Sequence, residues 1–319
     1  MISIVVYAIA GSSGYFLSSL NEILIGRAIL GIAVGGIMTT TTTLIADYFT
    51  GAKRNKIIDL QGAFMSIGGV LFLLTGGFLA DIDWRAPFLI YLFSLFMLPL
   101  VLYSIKEPLI QQDKQQHQQQ RSKESIFKIR SVYIVYPIAV FSMIIFYLIP
   151  VQMPFFLMDL TGVSSSEVGI AISFMTLSAA IIALSYKQVK SKLSFQNIFV
   201  LIFLLMGIGY FTISVSENYV HVIIGLIVSG LGMGLLLPNM NLLLVSATPQ
   251  LLRGSAVGGL VSFISLGQFL SPLVGQPFFE MFGMNTTYEI AGISMLILSV
   301  IFVGYNAIRK SFRLEVRLS

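Results

Sequence analysis

The chain has 319 residues, 56% hydrophobic and 10% charged. Soluble domains run near 45–50% apolar and about 25% charged, so a water-soluble globule has too little polar material here to cover its surface. Cysteine is absent, which excludes a disulfide scaffold, a thiolate metal site and a cysteine nucleophile. The two histidines, His117 and His221, leave little room for a histidine metal cluster, and the net charge of +5 is no pointer to nucleic acid, because the bases fall in short clusters between apolar runs.

A helix crossing the hydrocarbon core needs about 20 mostly apolar residues. Ten candidate spans follow in chain order: 2–20, 23–47, 58–80, 87–105, 132–157, 167–186, 197–215, 220–246, 255–279 and 288–306. Strand alternation is absent, so the fold class is all-α, a polytopic helical membrane protein. Residues 1–105 make a first bundle of four spans. Residues 106–130 follow as a Gln-rich linker, with seven glutamines between positions 111 and 120 and little that could build a core. Residues 131–308 make a six-helix second bundle, and 309–319 a basic tail.

Of the nineteen Lys and Arg residues, seventeen lie after spans two, four, six, eight and ten, the others being Arg27 and Arg85. The remaining connections carry mainly acids, among them Glu22, Asp81, Asp83, Glu167 and Glu280. The basic side is the cytoplasmic side, so both chain ends face the cytoplasm of a cell that carries the protein in its plasma membrane.

The chain repeats itself. Shifted by 199 residues, 25–77 falls on 224–276 without a gap, pairing Gly26/Gly225, Gly31/Gly230, Gly35/Gly234, Gly68/Gly267 and Gly76/Gly275, together with Arg54/Arg253, Phe64/Phe263 and Ser66/Ser265. Span seven lands on span one, and spans five and six land before residue 1. The expectation is a twelve-helix parent of two six-helix halves, in which this chain lacks the first two helices. Met1 opens directly into Ile-Ser-Ile-Val-Val-Tyr with no basic residue ahead of it, as a truncation, a misassigned start or a disrupted gene would leave it. A ten-helix protein is the alternative.

Glycines four apart let helices approach closely in lipid, where no hydrophobic drive acts between them. Gly31, Gly35, Gly68, Gly76 and Gly77 in the first half, and Gly230, Gly234, Gly267, Gly275 and Pro272 in the second, are the candidate packing or sliding faces.

Residues 26–36, Gly-Arg-Ala-Ile-Leu-Gly-Ile-Ala-Val-Gly-Gly, resemble the fourth-helix motif of the major facilitator superfamily, with Leu30 where a glutamine is usual. Residues 68–77 resemble its fifth-helix antiporter motif, keeping the outer glycines and replacing the central Gly-Pro by Phe72-Leu73. Trp84-Arg85-Ala86-Pro87-Phe88 resembles the start of the sixth helix, and residues 267–272 the eleventh helix of twelve-helix drug transporters. The resemblance covers essentially the whole chain, offset as helices three to twelve.

It implies a major facilitator fold and a secondary transporter of small, drug-like molecules, working by alternating access with proton-coupled efflux. It implies a monomer in a lipid bilayer, whose partners are a small-molecule substrate and protons, with neither cofactor nor nucleic acid. A metabolite carrier, or a truncated non-transporting remnant or membrane scaffold, are the alternatives. No Walker-type loop, nucleophile triad or paired carboxylates occur, so ATP drive and enzyme chemistry are set aside.

Arg27 either snorkels to the outer headgroups or faces the cavity, where its fixed charge would hold a nearby carboxylate deprotonated; the resemblance implies a role in proton coupling. No acid lies deep in any span. Asp47 and Asp59 sit at cytoplasmic helix ends, and Arg54 is the best remaining partner for Asp47, whose counterpart in the family joins a gating charge cluster. Candidate cavity residues are Gln61 and Met65 in span three, Tyr147, Gln152 and Met153 in span five, Asn239 and Asn241 in span eight, and Gln268 in span nine. Sparse amides among Met and aromatics suit bulky, partly apolar substrates. Thr39–Thr43 is expected to hydrogen-bond its own helix backbone.

Overall fold

The computed structural model describes residues 1–104, 129 and 131–318, and among them every regular element is helical. The predicted linker 106–130 lies almost wholly outside the described residues, as do the side chains of the tail. The elements are α1 (Ile2–Phe16), α2 (Leu20–Tyr48), α3 (Gly51–Ile82), a 3-10 segment (Ala86–Leu92) running into α4 (Phe93–Ser104), α5 (Val132–Thr161), α6 (Ser165–Leu184), the short α7 (Tyr186–Lys192), α8 (Phe195–Ser214), α9 (Tyr219–Ala247) and α10 (Arg253–Leu318). Among the described residues, eight helices are long and apolar enough to span a membrane.

Ten spans were expected, and two local facts reconcile the numbers. The first is that α1 stops at Phe16, because Leu17 turns extended and Ser19 already begins α2; its 15 residues fall short of a full crossing. The second is that α10 holds two spans. Its apolar stretch of 55 residues would measure about 80 Å if straight, far beyond a hydrocarbon core of about 30 Å. The break is at Gly283, whose φ of 78° and ψ of 171° only glycine adopts readily. Phe279 and Tyr288 pack across it, ring centroids 5.7 Å apart.

Helix starts and stops follow local chemistry. Ser194 accepts the Asn197 N–H at the head of α8, and Asn218 accepts the His221 N–H at the head of α9. Gly162, at φ 65°, closes α5 in the left-handed region. Thr39, Thr42 and Thr43 donate to carbonyls one turn back, as expected of a hydroxyl run within a membrane helix.

The chain divides into two compact units. The second comprises Gln119–Val163 and Ala171–Ser319, and its helices pack backbone against backbone. Gly209 and Gly225 face each other, Gly207 faces Gly292, and Gly232 lies on Ile202 and Met206. Gly230 and Gly234 press on the carbonyls of Met175 and Ala179 in α6, while Gly267 presses on Val140 and Gly275 on Leu148 of α5. Side-chain hydroxyls stitch the helices further: Tyr136 to Ala256 O, Ser271 to Ile144 O and Tyr210 to Ile145 O, each at 2.7 Å. Between membrane helices such bonds contribute about 0.6 kcal/mol each.

The first unit, Met1–Gln118 with Ser164–Ile170, is packed differently. In α3 no residue of the most apolar window is buried, against 56% in α5, α8 and α9. The expected glycine face of α2 is not a contact here: a Cβ on Gly31 or Gly35 would meet nothing within 4 Å. Gly68 and Gly76 are also loose, whereas Gly77 lies tight against the backbone of Ser165 and Ser166. There Asp81 accepts from the Ser165 and Ser166 N–H groups at 2.6 and 3.0 Å and from the Ser166 hydroxyl, capping the first turn of α6.

The same substitution should therefore have opposite signs at repeat-related sites. Gly234→Ala drives a methyl into a backbone carbonyl and should cost about 1–3 kcal/mol. Gly35→Ala meets open space and should be neutral or stabilising by up to about 1 kcal/mol through helix propensity. Thermal unfolding of the two variants in one detergent checks both.

Candidate functional site

In the first unit the polar centre is Arg27, placed by α2 and half-buried. Its guanidinium lies over the Phe88 ring, 4.6 Å from the centroid, and 5.4 Å from that of Tyr91. Its Nη1 donates to the Tyr91 hydroxyl at 3.1 Å. Tyr7 closes edge-on against Tyr91 at 5.3 Å. Two glycines of α1 make room for this aromatic clamp: a side chain at Gly11 would overlap Tyr91, and one at Gly14 would overlap Phe88. The 3-10 segment after Pro87 presents Phe88 and Tyr91 three residues apart, which is one turn of that helix.

Arg27 opens onto a cavity of about 590 Å³ walled by Tyr7, Phe72, Phe88, Tyr91 and Met97. That is the size of a small-molecule pocket, largely apolar with one fixed cation. Arg27 is among the residues that line this cavity. Sequence reasoning missed Tyr91 and Phe88, since neither carries a motif that names a cation as its neighbour.

The other charged candidates sit at a helix turn. Asp47 is exposed in the last turn of α2 and Arg54 exposed in the first turn of α3, separated by the extended residues Phe49 and Thr50. Asp59 lies on α3 with its side chain outside the described residues. Gln61 is half-buried and Met65 exposed on the same helix, and neither lines the Arg27 cavity.

In the second unit Gln152 is buried on α5, and its Nε2 donates to Gln276 Oε1 at 2.8 Å; Gln276 in turn donates to Glu280 Oε1 at 2.8 Å. An amide–amide–carboxylate chain thus runs from buried to exposed. Gln276 and Glu280 are one turn apart on α10, and the sequence offered only that spacing as a signal. Met153 is fully buried beside Gln152, while Tyr147 and Gln268 are half-buried.

Asn239 and Asn241 part company. Asn241 is exposed. Asn239 is fully buried and its amide is spent: Oδ1 accepts from the Tyr186 hydroxyl at 3.1 Å, and Nδ2 donates to Phe195 O at 3.2 Å. It ties α9 to α7 and the head of α8. Burial pushes the Tyr186 phenol up to about 12, which keeps it a neutral donor throughout the physiological range. Pro272 is exposed. Among the described residues no cluster of His, Asp and Glu could hold a metal ion.

The sequence profile of the Major Facilitator Superfamily matches residues 1–258 and again 135–313. The chain belongs to this superfamily. The first match runs from the first bundle well into the second, and the other covers the second bundle. Membership makes it a chain of a transporter family, embedded in the membrane by several crossings, and not an enzyme.

Multidrug resistance protein 3 of Bacillus subtilis strain 168 is 36% identical over 73 residues, 23% of this chain and 14% of that protein. The multi-drug resistance efflux pump PmrA of Streptococcus pneumoniae serotype 4 is 26% identical over 157 residues, 48% of this chain and 39% of that one. The match thus spans well under half of either curated relative. Among solved structures, a D-xylose-proton symporter aligns with a TM-score of 0.77 at 17% identity, over 94% of this chain and 79% of that one. The nucleoside transporter NupG aligns at 0.73 and 14% identity, over 95% and 81%. At these identities the likeness is one of fold.

Asn239→Leu leaves the buried Tyr186 hydroxyl without its acceptor, and should cost about 1–3 kcal/mol. Asn241→Leu, on an exposed position, should fall within about 0.5 kcal/mol of the parent. Chemical or thermal unfolding in detergent separates the two.

Proposed function

We propose that this major facilitator chain is most of a secondary transporter that exports small, partly apolar, drug-like molecules by alternating access, coupled to proton entry. The observation that carries the reading is Arg27: a permanent cation held on two aromatic faces at the wall of a cavity within a membrane-spanning bundle. Burying that charge is costly, and it lowers the proton affinity of any carboxylate brought near it. Resemblance to named efflux pumps supports the direction and substrate class.

Gln152, extended by Gln276 and Glu280, is the assigned substrate-facing group of the second unit, with Tyr147, Met153 and Gln268 beside it and Gln61 and Met65 on α3. Asp47, Arg54 and Asp59 are assigned to gating at the cytoplasmic ends. The chain lies in the plasma membrane as a monomer, its basic connections on the cytoplasmic side and its acidic ones opposite. A second reading, a non-transporting remnant or scaffold, is favoured by the bare Gly31 and Gly35. A sugar or nucleoside carrier shares the fold alone.

Cells expressing the chain and loaded with ethidium should retain less dye than empty cells, and an uncoupler should abolish the difference. Arg27→Gln should remove the uncoupler-sensitive part while leaving the amount of membrane-inserted protein unchanged. Equal dye in expressing and empty cells would favour the remnant.

A further inference from the structure

While Glu280 is ionised, the hydrogen bonds from Gln152 to Glu280 can run in one direction only. A carboxylate accepts and cannot donate. Gln276 therefore turns its amide nitrogen toward Glu280, and Nε2 donates to Oε1 at 2.8 Å. With that nitrogen committed, the part of the Gln276 amide left for α5 is its oxygen, which takes a hydrogen from Gln152 Nε2 at 2.8 Å. Gln152 is only 6% exposed. Its Oε1 takes no hydrogen bond from the described residues, yet it is not one of their fully buried, partnerless atoms. That oxygen is the acceptor this buried side chain still offers. Bonds in such a row polarise one another, so the charge on Glu280 strengthens the acceptor at the far end.

We propose that Glu280 is a positioning residue that sets the hydrogen-bond polarity of Gln152 through Gln276, and that the ligand Gln152 receives is an organic cation carrying N–H donors. A proton on Glu280 reverses the row. The carboxylic acid donates to Gln276 Oε1, the Gln276 nitrogen turns to Gln152 Oε1, and Gln152 presents its own N–H groups instead. Donor then faces donor, and the ligand is expelled. Proton and cation compete without sharing an atom, and linkage makes the competition reciprocal. Glu280 is exposed, three residues before the Gly283 turn, at the end of α10 where the acidic connections lie. α10 packs on α5, α8 and α9. Toward that end these carry Asp159 on α5, Tyr210 on α8 and His221 on α9, with Glu217 ahead of α9 and Glu289 on the second arm of α10. Such groups act on a bound cation through charge; among the described residues Glu280 is the titratable group bonded to the Gln276–Gln152 pair. The inference rests on the reading of Gln152 as substrate-facing, and adds to it the chemistry of the ligand and the site of the proton.

Two cations of equal charge test this on the purified chain in detergent: ethidium, whose amines donate, and tetraphenylphosphonium, which has no N–H. Between about pH 8 and about pH 5 the ethidium dissociation constant should rise about tenfold as the medium is acidified, the scale of one polarised hydrogen bond, while that of tetraphenylphosphonium should change less than about twofold. Glu280→Gln and, separately, Gln276→Leu should each give ethidium a single affinity across the range. A slope that survives Glu280→Gln places the proton elsewhere, on His221 for example, and overturns the proposal. A slope that survives Gln276→Leu shows Glu280 acting without the relay and overturns it too. Both cations weakening in parallel in the unaltered chain would make the effect one of charge, which overturns this inference alone and leaves the exporter reading standing. Neither cation binding at any pH would remove the ligand, and with it both this inference and the exporter reading.

Discussion

Backbone-to-backbone approach through glycine is the contact on which this structure depends. Lipid tails are as apolar as leucine, so burying a leucine between helices gains little. Attraction must come from dispersion at close range and from polar groups that find partners. Gly209 against Gly225 and Gly207 against Gly292 bring whole helices within reach of each other's peptide groups, and hydroxyls such as those of Tyr136, Tyr210 and Ser271 then reach carbonyls across the gap. Where a glycine face has no opposite number, as at Gly31 and Gly35 on α2, the helix keeps its shape but that face stays open. The contrast between the units follows from one rule applied with and without a neighbour.

Much of the fold is legible in the sequence because the membrane imposes length and apolarity directly. The long spans, the all-α class and the pairing of 25–77 with 224–276 all come from residue order. Two boundaries do not. The extended Leu17 ends α1 early, and Gly283 sits inside what reads as a connection, so the two arms of α10 meet with almost no loop.

The site was less legible. Arg27 could be singled out as a cation inside an apolar span, but its clamp could not, because Phe88 and Tyr91 lie 61 and 64 residues away on a 3-10 turn whose geometry no periodicity announces. Asn239 shows the converse. A polar residue amid methionines reads as cavity lining, and only the third dimension shows its amide spent on Tyr186 and Phe195. Gln152 kept its interest and gained the two partners that residue order hides.

The turn at Gly283 leaves no slack between the arms of α10. Helices joined by long connections can tilt on their own; these two are coupled by a single pivoting residue and the edge-to-face contact of Phe279 with Tyr288. Any inclination of the arm bearing Gln268 and Gln276 is passed at once to the arm packed on α8, so that edge of the second unit moves as one lever.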